Sequence, residues 1–223
     1  MCQICRKENL TNHTQLLIEV CPYVTQIPYI EGLVRLDIIQ CKNLNFIPPI
    51  KGLLILIIIG CPNIKKLPYI KSLKGLKLQC KQLEEIPCYE NLIKIELHNE
   101  TITKLPACPK LESIFMNHTN TVILPYYENL HELEVHNCKK LIYIPIYINL
   151  YKLVIQNCNK ICSIKNINKI IIICENLNNY RIYQCALCDN NLNNGCLKLS
   201  SSGKILYKFV KKIENKIINN KIK

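Results

Sequence analysis

The sequence predicts a solenoid: a stack of short, similar turns, each adding one strand to a parallel β-sheet. Three observations carry this expectation. Pro28, Pro48, Pro68, Pro87, Pro106, Pro125 and Pro145 recur every 19 or 20 residues, each behind an Ile or Leu. Between consecutive prolines the same apolar pattern returns, and self-similarity at such a period is the mark of a repeat architecture. A unit of this length leaves only about ten residues for the return path, too few for a useful helix and two turns.

Within each unit the pattern assigns its elements. The second unit runs Leu33-x-x-Leu36-x-Ile38-x-x-Cys41-x-x-Leu44-x-x-Ile47-Pro48, and the third runs Leu53-x-x-Leu56-x-Ile58-x-x-Cys61-x-x-Ile64-x-x-Leu67-Pro68. The seventh repeats this from Leu130 through Leu133, Val135, Cys138, Leu141 and Ile144 to Pro145, and Leu150 to Ile164 continues it without the proline. Units around Leu76 and Ile95 are one residue shorter after the strand. A degenerate unit spans Ile167 to Cys174, and a last echo runs Leu177-x-x-Tyr180-x-Ile182-x-x-Cys185. The x-Leu-x-Ile-x core of each unit is a half-buried strand, with Leu36 and Ile38 facing inward. The Ile/Leu-Pro step fixes φ and extends its predecessor, so the return path is extended or polyproline-like, or a short 3-10 turn.

This pattern resembles the leucine-rich-repeat consensus L-x-x-L-x-L-x-x-N/C over roughly residues 10–185. The short period and Ile/Leu-Pro step resemble the bacterial-effector class. The Cys-x-x-Leu step resembles cysteine-containing variants, and the Ile/Asn-rich wording resembles repeats of giant DNA viruses. The resemblance implies a curved sheet whose concave side binds partners. It also implies that Cys21, Cys41, Cys61, Cys80, Cys138, Cys158 and Cys174 point inward at or beside the strand end, with Cys185 as an eighth. Cysteine there is a small buried hydrophobe with a weak donor, and Asn99 is the commoner polar choice.

The domain order follows: an N-terminal cap at 1–12, repeats at 13–186, and a C-terminal cap at 187–223. In that last segment Ile205, Phe209, Ile213 and Ile217 recur at spacing four, opposite lysines. This predicts a basic amphipathic helix that caps the exposed core of the last repeat, as solenoids require. Within it the stretch Lys198–Lys223 holds eight Lys against Glu214, so that stretch carries over half of the net charge of +13. An anionic membrane or nucleic acid binding through Lys204–Lys223 is the competing reading.

No apolar leader is expected from Met-Cys-Gln-Ile-Cys-Arg-Lys-Glu, and the apolar run Leu53–Cys61 is too short to span a bilayer. An odd total of 15 Cys in a chain of this size favours a reducing compartment over a disulfide framework, hence a cytoplasmic setting, the host cytoplasm if viral.

Candidate chemistry is sparse. No nucleophile triad, Gly-rich phosphate loop or carboxylate pair stands out, so we expect no enzyme and no cofactor. Cys2-x-x-Cys5, with His13 nearby, and Cys185-x-x-Cys188, with Cys196 nearby, have zinc-ligand spacing. Cys-Gln-Ile-Cys also resembles the opening of a RING finger, without its later ligand pairs. The two ends lie too far apart for one ion, and end-cap packing is the expected role of each. Glu96-x-His98 and Glu134-x-His136 repeat two units apart, too far to share a metal, and a solvated face accounts for them. The expected function is protein binding through the exposed strand positions. Those are Arg35, Asp37 and Ile39; Ile55, Ile57 and Ile59; Gly75, Lys77 and Gln79; Lys94, Glu96 and His98; Ser113, Phe115 and Asn117; Glu132, Glu134 and His136; and Lys152, Val154 and Gln156. Ile55, Ile57, Ile59 and Phe115 are the apolar anchors among them, with Arg35, Asp37, Lys94, Glu96, Glu134 and His136 around them.

Overall fold

In the computed structural model, residues 2–161 are described together with the strand backbone at 163–165, 171–175 and 181–183. Eight strands of five residues come first: β1 (Gln15–Glu19), β2 (Arg35–Ile39), β3 (Ile55–Ile59), β4 (Gly75–Gln79), β5 (Lys94–His98), β6 (Ser113–Asn117), β7 (Glu132–His136) and β8 (Lys152–Gln156). Then follow β9 (Ser163–Lys165), β10 (Ile171–Glu175) and β11 (Arg181–Tyr183). Strands β1 to β8 pair in sequence order and in parallel, and β10 extends the sheet beyond β8. Equivalent residues stand side by side throughout: Leu36 opposite Leu56, Leu56 opposite Leu76, Ile114 opposite Leu133. The chain is therefore a parallel β-solenoid built from turns of about 20 residues.

The expected core is realised. Leu36, Ile38, Leu56, Ile58, Leu133 and Val135 are each 0% exposed. In the second turn the inward residues are Leu33, Leu36, Ile38, Cys41, Leu44, Ile47 and Ile50, and the third turn then begins at Leu53. The inward step is thus two residues across the strand and three everywhere else. Two is the period of a strand and three that of polyproline II, so one sequence pattern encodes both sides of the turn. No 3-10 helix occurs among the described residues.

Two corners close each turn. Leu44 N–H bonds to Cys41 O at 3.3 Å after the strand, and Leu73 N–H to Ile70 O at 3.2 Å before the next. Asparagines stitch corners of successive turns together. Asn63 donates to Lys42 O at 2.9 Å and Asn91 to Lys71 O at 2.8 Å. Val20, Gln40, Gly60, His118, Asn137 and Asn157 each leave the strand with φ near +50° to +70°. The turns of β4 and β5 lack this left-handed residue, passing directly to Cys80 and Asn99. That is the physical meaning of the one-residue shortening legible in the sequence.

Two expectations at the C-terminal end are corrected. Cys174 aligns with Ile155, a strand position, and not with the strand-exit position of Cys158. The last echo does not join the main sheet: Arg181–Tyr183 pairs in parallel with Ser163–Lys165 in a separate two-stranded sheet. Isolated parallel bridges outside the main sheet also join Gln26 to Phe46 and Ile123 to Tyr143. A solenoid turn offers extended segments on both sides, and a periodic apolar pattern alone does not say which one a degenerate repeat will use. The expected helix within 187–223 lies outside the described residues, as do Cys185, Cys188 and Cys196.

Candidate functional site

The inward cysteines form a ladder whose donors point at neighbouring carbonyls. Cys41 Sγ lies 3.7 Å from Ile18 O, Cys80 Sγ 3.7 Å from Ile58 O, and Cys158 Sγ 3.6 Å from Val135 O. Asn99 takes the same place, donating to Cys80 O at 2.6 Å. Burial pushes the Cys61 thiol up to about 11 and the Cys80 thiol up to about 12. These thiols are structural.

The outer face of the sheet carries the residues expected to bind a partner. Nearly all are half-buried rather than exposed, because each is flanked by strands about 4.8 Å away on either side. Val154 departs from expectation: it is only 6% exposed, on a strand enclosed between β7 and β10. The edge strand β1 shows the opposite, with Leu17 at 55%.

On this face the charges are already paired. Arg35 forks onto Asp37 with Nε–Oδ1 at 3.0 Å and Nη2–Oδ2 at 2.9 Å. Lys77 and Lys94 reach Glu96 at 2.8 Å and 3.1 Å, and their contacts hold its carboxyl below the usual range. Lys152 meets Glu134 at 2.5 Å. Burial pulls the Glu134 carboxyl upward, but Lys152 and His136 outweigh it and the net direction is down. The two Glu-x-His pairs are separated by Phe115, whose ring stacks between His98 and His136 at 5.1 Å from each. His136 Nδ1 meets Gln156 Oε1 at 2.6 Å, and its buried Nε2 has no hydrogen-bond partner among the described residues, with Glu134 Oε2 at 3.6 Å. Burial, aided by Lys77, lowers the His98 pKa, which disfavours its charged form. Beside these pairs lies an uncharged patch. Ile39 and Ile59 are register partners, and Ile55 and Ile57 continue it along β3.

Sequence reasoning missed two features. On the return side Phe46 is 53% and Tyr69 50% exposed, flanking an open groove of about 920 Å³ that also takes in Asn45, Lys65 and Lys66. Single exposed aromatics of this kind carry no periodic signal. At the N-terminal end, the third member of the Cys2–Cys5 group is Cys21 and not His13: the three Sγ atoms lie within 4.8 Å of one another. Cys2 Sγ to Cys5 Sγ and Cys5 Sγ to Cys21 Sγ are both 3.6 Å. Burial raises the Cys21 pKa, but backbone donors at Cys2, Tyr23 and Val24 and the Cys2 thiol outweigh it, bringing it down to about 6. Burial and its two neighbours push Cys5 up to about 12. A cysteine already explained by the repeat gave no reason to look for a second role.

The fold and this face define a class: a repeat-built parallel β-solenoid with a mixed, internally paired outer surface. Neither protein-family models nor curated proteins give a match to the chain. Among the described residues no helix is long and apolar enough to cross a membrane.

Proposed function

We propose that the protein is a leucine-rich-repeat scaffold, of the short-period kind resembling giant-virus proteins, that binds another protein on the concave side formed by its sheet. The observation that carries this reading is the isoleucine patch Ile39, Ile55, Ile57 and Ile59, set in a field of charges that satisfy one another. Apolar groups held half-open on a rigid sheet supply affinity on burial, while surrounding ion pairs tune rate and choice of partner. Phe115, clamped between two imidazoles, is the second anchor, with little rotamer freedom left to lose on binding. Arg35, Asp37, Lys94, Glu96 and Glu134 form the polar surround. Acids and bases interleave here, which suits a protein surface better than a phosphate backbone. The inward Cys/Asn ladder supports the repeat class, and its free thiols support a cytoplasmic setting, the host's if the chain is viral.

The test begins with a partner captured by the purified chain from its native host. Ile57→Asp should abolish that binding with the fold intact, and Phe115→Ala should weaken it. If both variants bind normally while Phe46→Ala with Tyr69→Ala loses binding, the return side is the interface. Loss only on deleting 198–223, together with steep salt dependence, would transfer the function to the basic tail and its anionic partners.

A further inference from the structure

The cysteine cluster at the N-terminal end plays no part in the partner-binding reading. We propose that Cys2, Cys5 and Cys21 together hold one thiophilic d10 cation, Zn²⁺ or Cu⁺, which staples the N-terminal segment to the first turn of the solenoid.

Geometry is the first argument. A metal–thiolate bond of about 2.3 Å places two sulfurs of a tetrahedral site about 3.8 Å apart, and those of a trigonal site about 4.0 Å apart. The two 3.6 Å separations here are within a few tenths of an ångström of those edges, and the third stays under 4.8 Å. One ion at the centre therefore reaches all three with small side-chain adjustments. The backbone already holds the set in place. A turn closed by Arg6 N–H to Cys2 O at 3.1 Å brings Cys2 and Cys5, three apart, to one side. Cys21 is fixed by the corner that follows β1.

The repeat supplies the second argument. Cys41, Cys61, Cys80 and Cys158 each direct their sulfur at a carbonyl of the preceding turn. Cys21 follows β1, which has no strand before it among the described residues, and its sulfur meets Cys5 instead of a neighbouring strand's carbonyl. The end of the ladder is thus a surplus soft ligand facing two more. Cys2 and Cys5 are only half-buried, which leaves an entry path from solvent.

Chemistry narrows the ion. Three sulfurs and no carboxylate select soft cations over Mg²⁺ or Ca²⁺. On binding, the thiols release their protons to the buffer and the ion takes three sulfur lone pairs, with no change of oxidation state. Three thiolates complete a trigonal Cu⁺ site, whereas Zn²⁺ takes a water as its fourth ligand, since no fourth Cys, His or carboxylate joins the group among the described residues. A bond network across this gap pins the segment that covers the open end of the core, the cap every solenoid needs.

The experiment titrates the reduced, metal-free full chain without oxygen. One arm uses Co²⁺ followed by Zn²⁺ competition, and the other uses Cu⁺. The expected result is one equivalent per chain in one arm, with a thiolate-to-metal charge-transfer band. That equivalent should vanish in Cys5→Ser and Cys21→Ser and persist in Cys88→Ser. It should also persist in the Cys185→Ser/Cys188→Ser double variant, which removes the other Cys-x-x-Cys pair. Cys5→Ser is the decisive variant because Cys5 is half-buried and its loss spares the core, whereas Cys21 is fully inside. Absence of uptake in both arms, or uptake that survives Cys5→Ser, overturns the proposal. Loss confined to the Cys185/Cys188 variant does so too, by moving the site to the far end of the chain.

Discussion

At the scale of single residues, this protein uses its polar side chains most often to tie one turn to the next. Cys41, Cys61 and Cys138 are 0% exposed free thiols, whereas Cys88 is exposed. A thiol reagent should therefore label Cys88 at once and the other three only on unfolding. Cys138 is the demanding case. The Cys158 thiol, joined by the Thr119 hydroxyl against the opposing effect of burial, brings it down to about 7, yet a buried thiolate still has no access to reagent. Rapid native labelling of Cys138, read by mass spectrometry, would show that the ladder breathes. Cys61 and Cys80 give a pH test. Their folded values of about 11 and about 12 lie above the ordinary 9.0, so the unfolded chain ionises first. Their contribution is fully present below about pH 9 and lost as pH climbs through the folded values, so Tm should fall over that alkaline window. Tyrosine enters the same scheme where Ile gives way on the return path. Tyr89 Oη donates to Pro68 O at 3.0 Å, and Tyr127 and Tyr147 repeat it on Pro106 and Pro125. Tyr89→Phe keeps the packing but leaves that carbonyl unpaired, costing about 0.5–1.5 kcal/mol by denaturant titration. These tyrosines were not legible beforehand. A tyrosine in a polar stretch reads as surface, and only the neighbouring turn reveals the acceptor that lets it go inside.

At the scale of the element, each strand contributes two inward residues and each corner one or two backbone bonds, so a single strand is weak alone. Leu56, wholly buried in β3, sits between Leu36 and Leu76 in register. Leu56→Ala should cost about 2–5 kcal/mol. Hydrogen exchange should then find β2, β3 and β4 opening before β7, since the loss is shared only with nearest neighbours. Uniform loss of protection along the chain would mean the stack unfolds as one cooperative block instead. The strand exit makes its own demand. Gly60 has φ +67°, and a Cβ there would meet Gln40 Cγ at 3.3 Å. Gly60→Val should destabilise by about 1–2 kcal/mol, the cost of a β-branched residue in the left-handed region.

At the scale of the whole molecule, stacking makes the two ends different from the middle. The middle turns are sealed by their neighbours, and the N-terminal end is closed by Cys2, Ile4, Cys5 and Leu10 packing on the core. Removing residues 2–10 should expose Leu16 and Ile18, lower Tm and promote association through β1, whose edge already presents Leu17. Sedimentation at rising concentration would reveal the association, and a variant that stays monomeric with unchanged Tm would show the cap to be dispensable.

The sequence by itself determined the period, the inward register of seven strands, β2 to β8, the cysteine ladder and the shortened turns at β4 and β5. All of these follow from local spacing, repeated often enough that each copy confirms the next. Only the tertiary structure decided which charges pair across strands and that Phe115 sits between two imidazoles. It alone paired β11 with β9 outside the main sheet and brought Cys21 to Cys2 and Cys5. Each of those joins residues from different turns, or from the cap and the first turn. The repeat fixes how a turn is built, but side-chain reach and the absence of a neighbour at the end fix what meets across it.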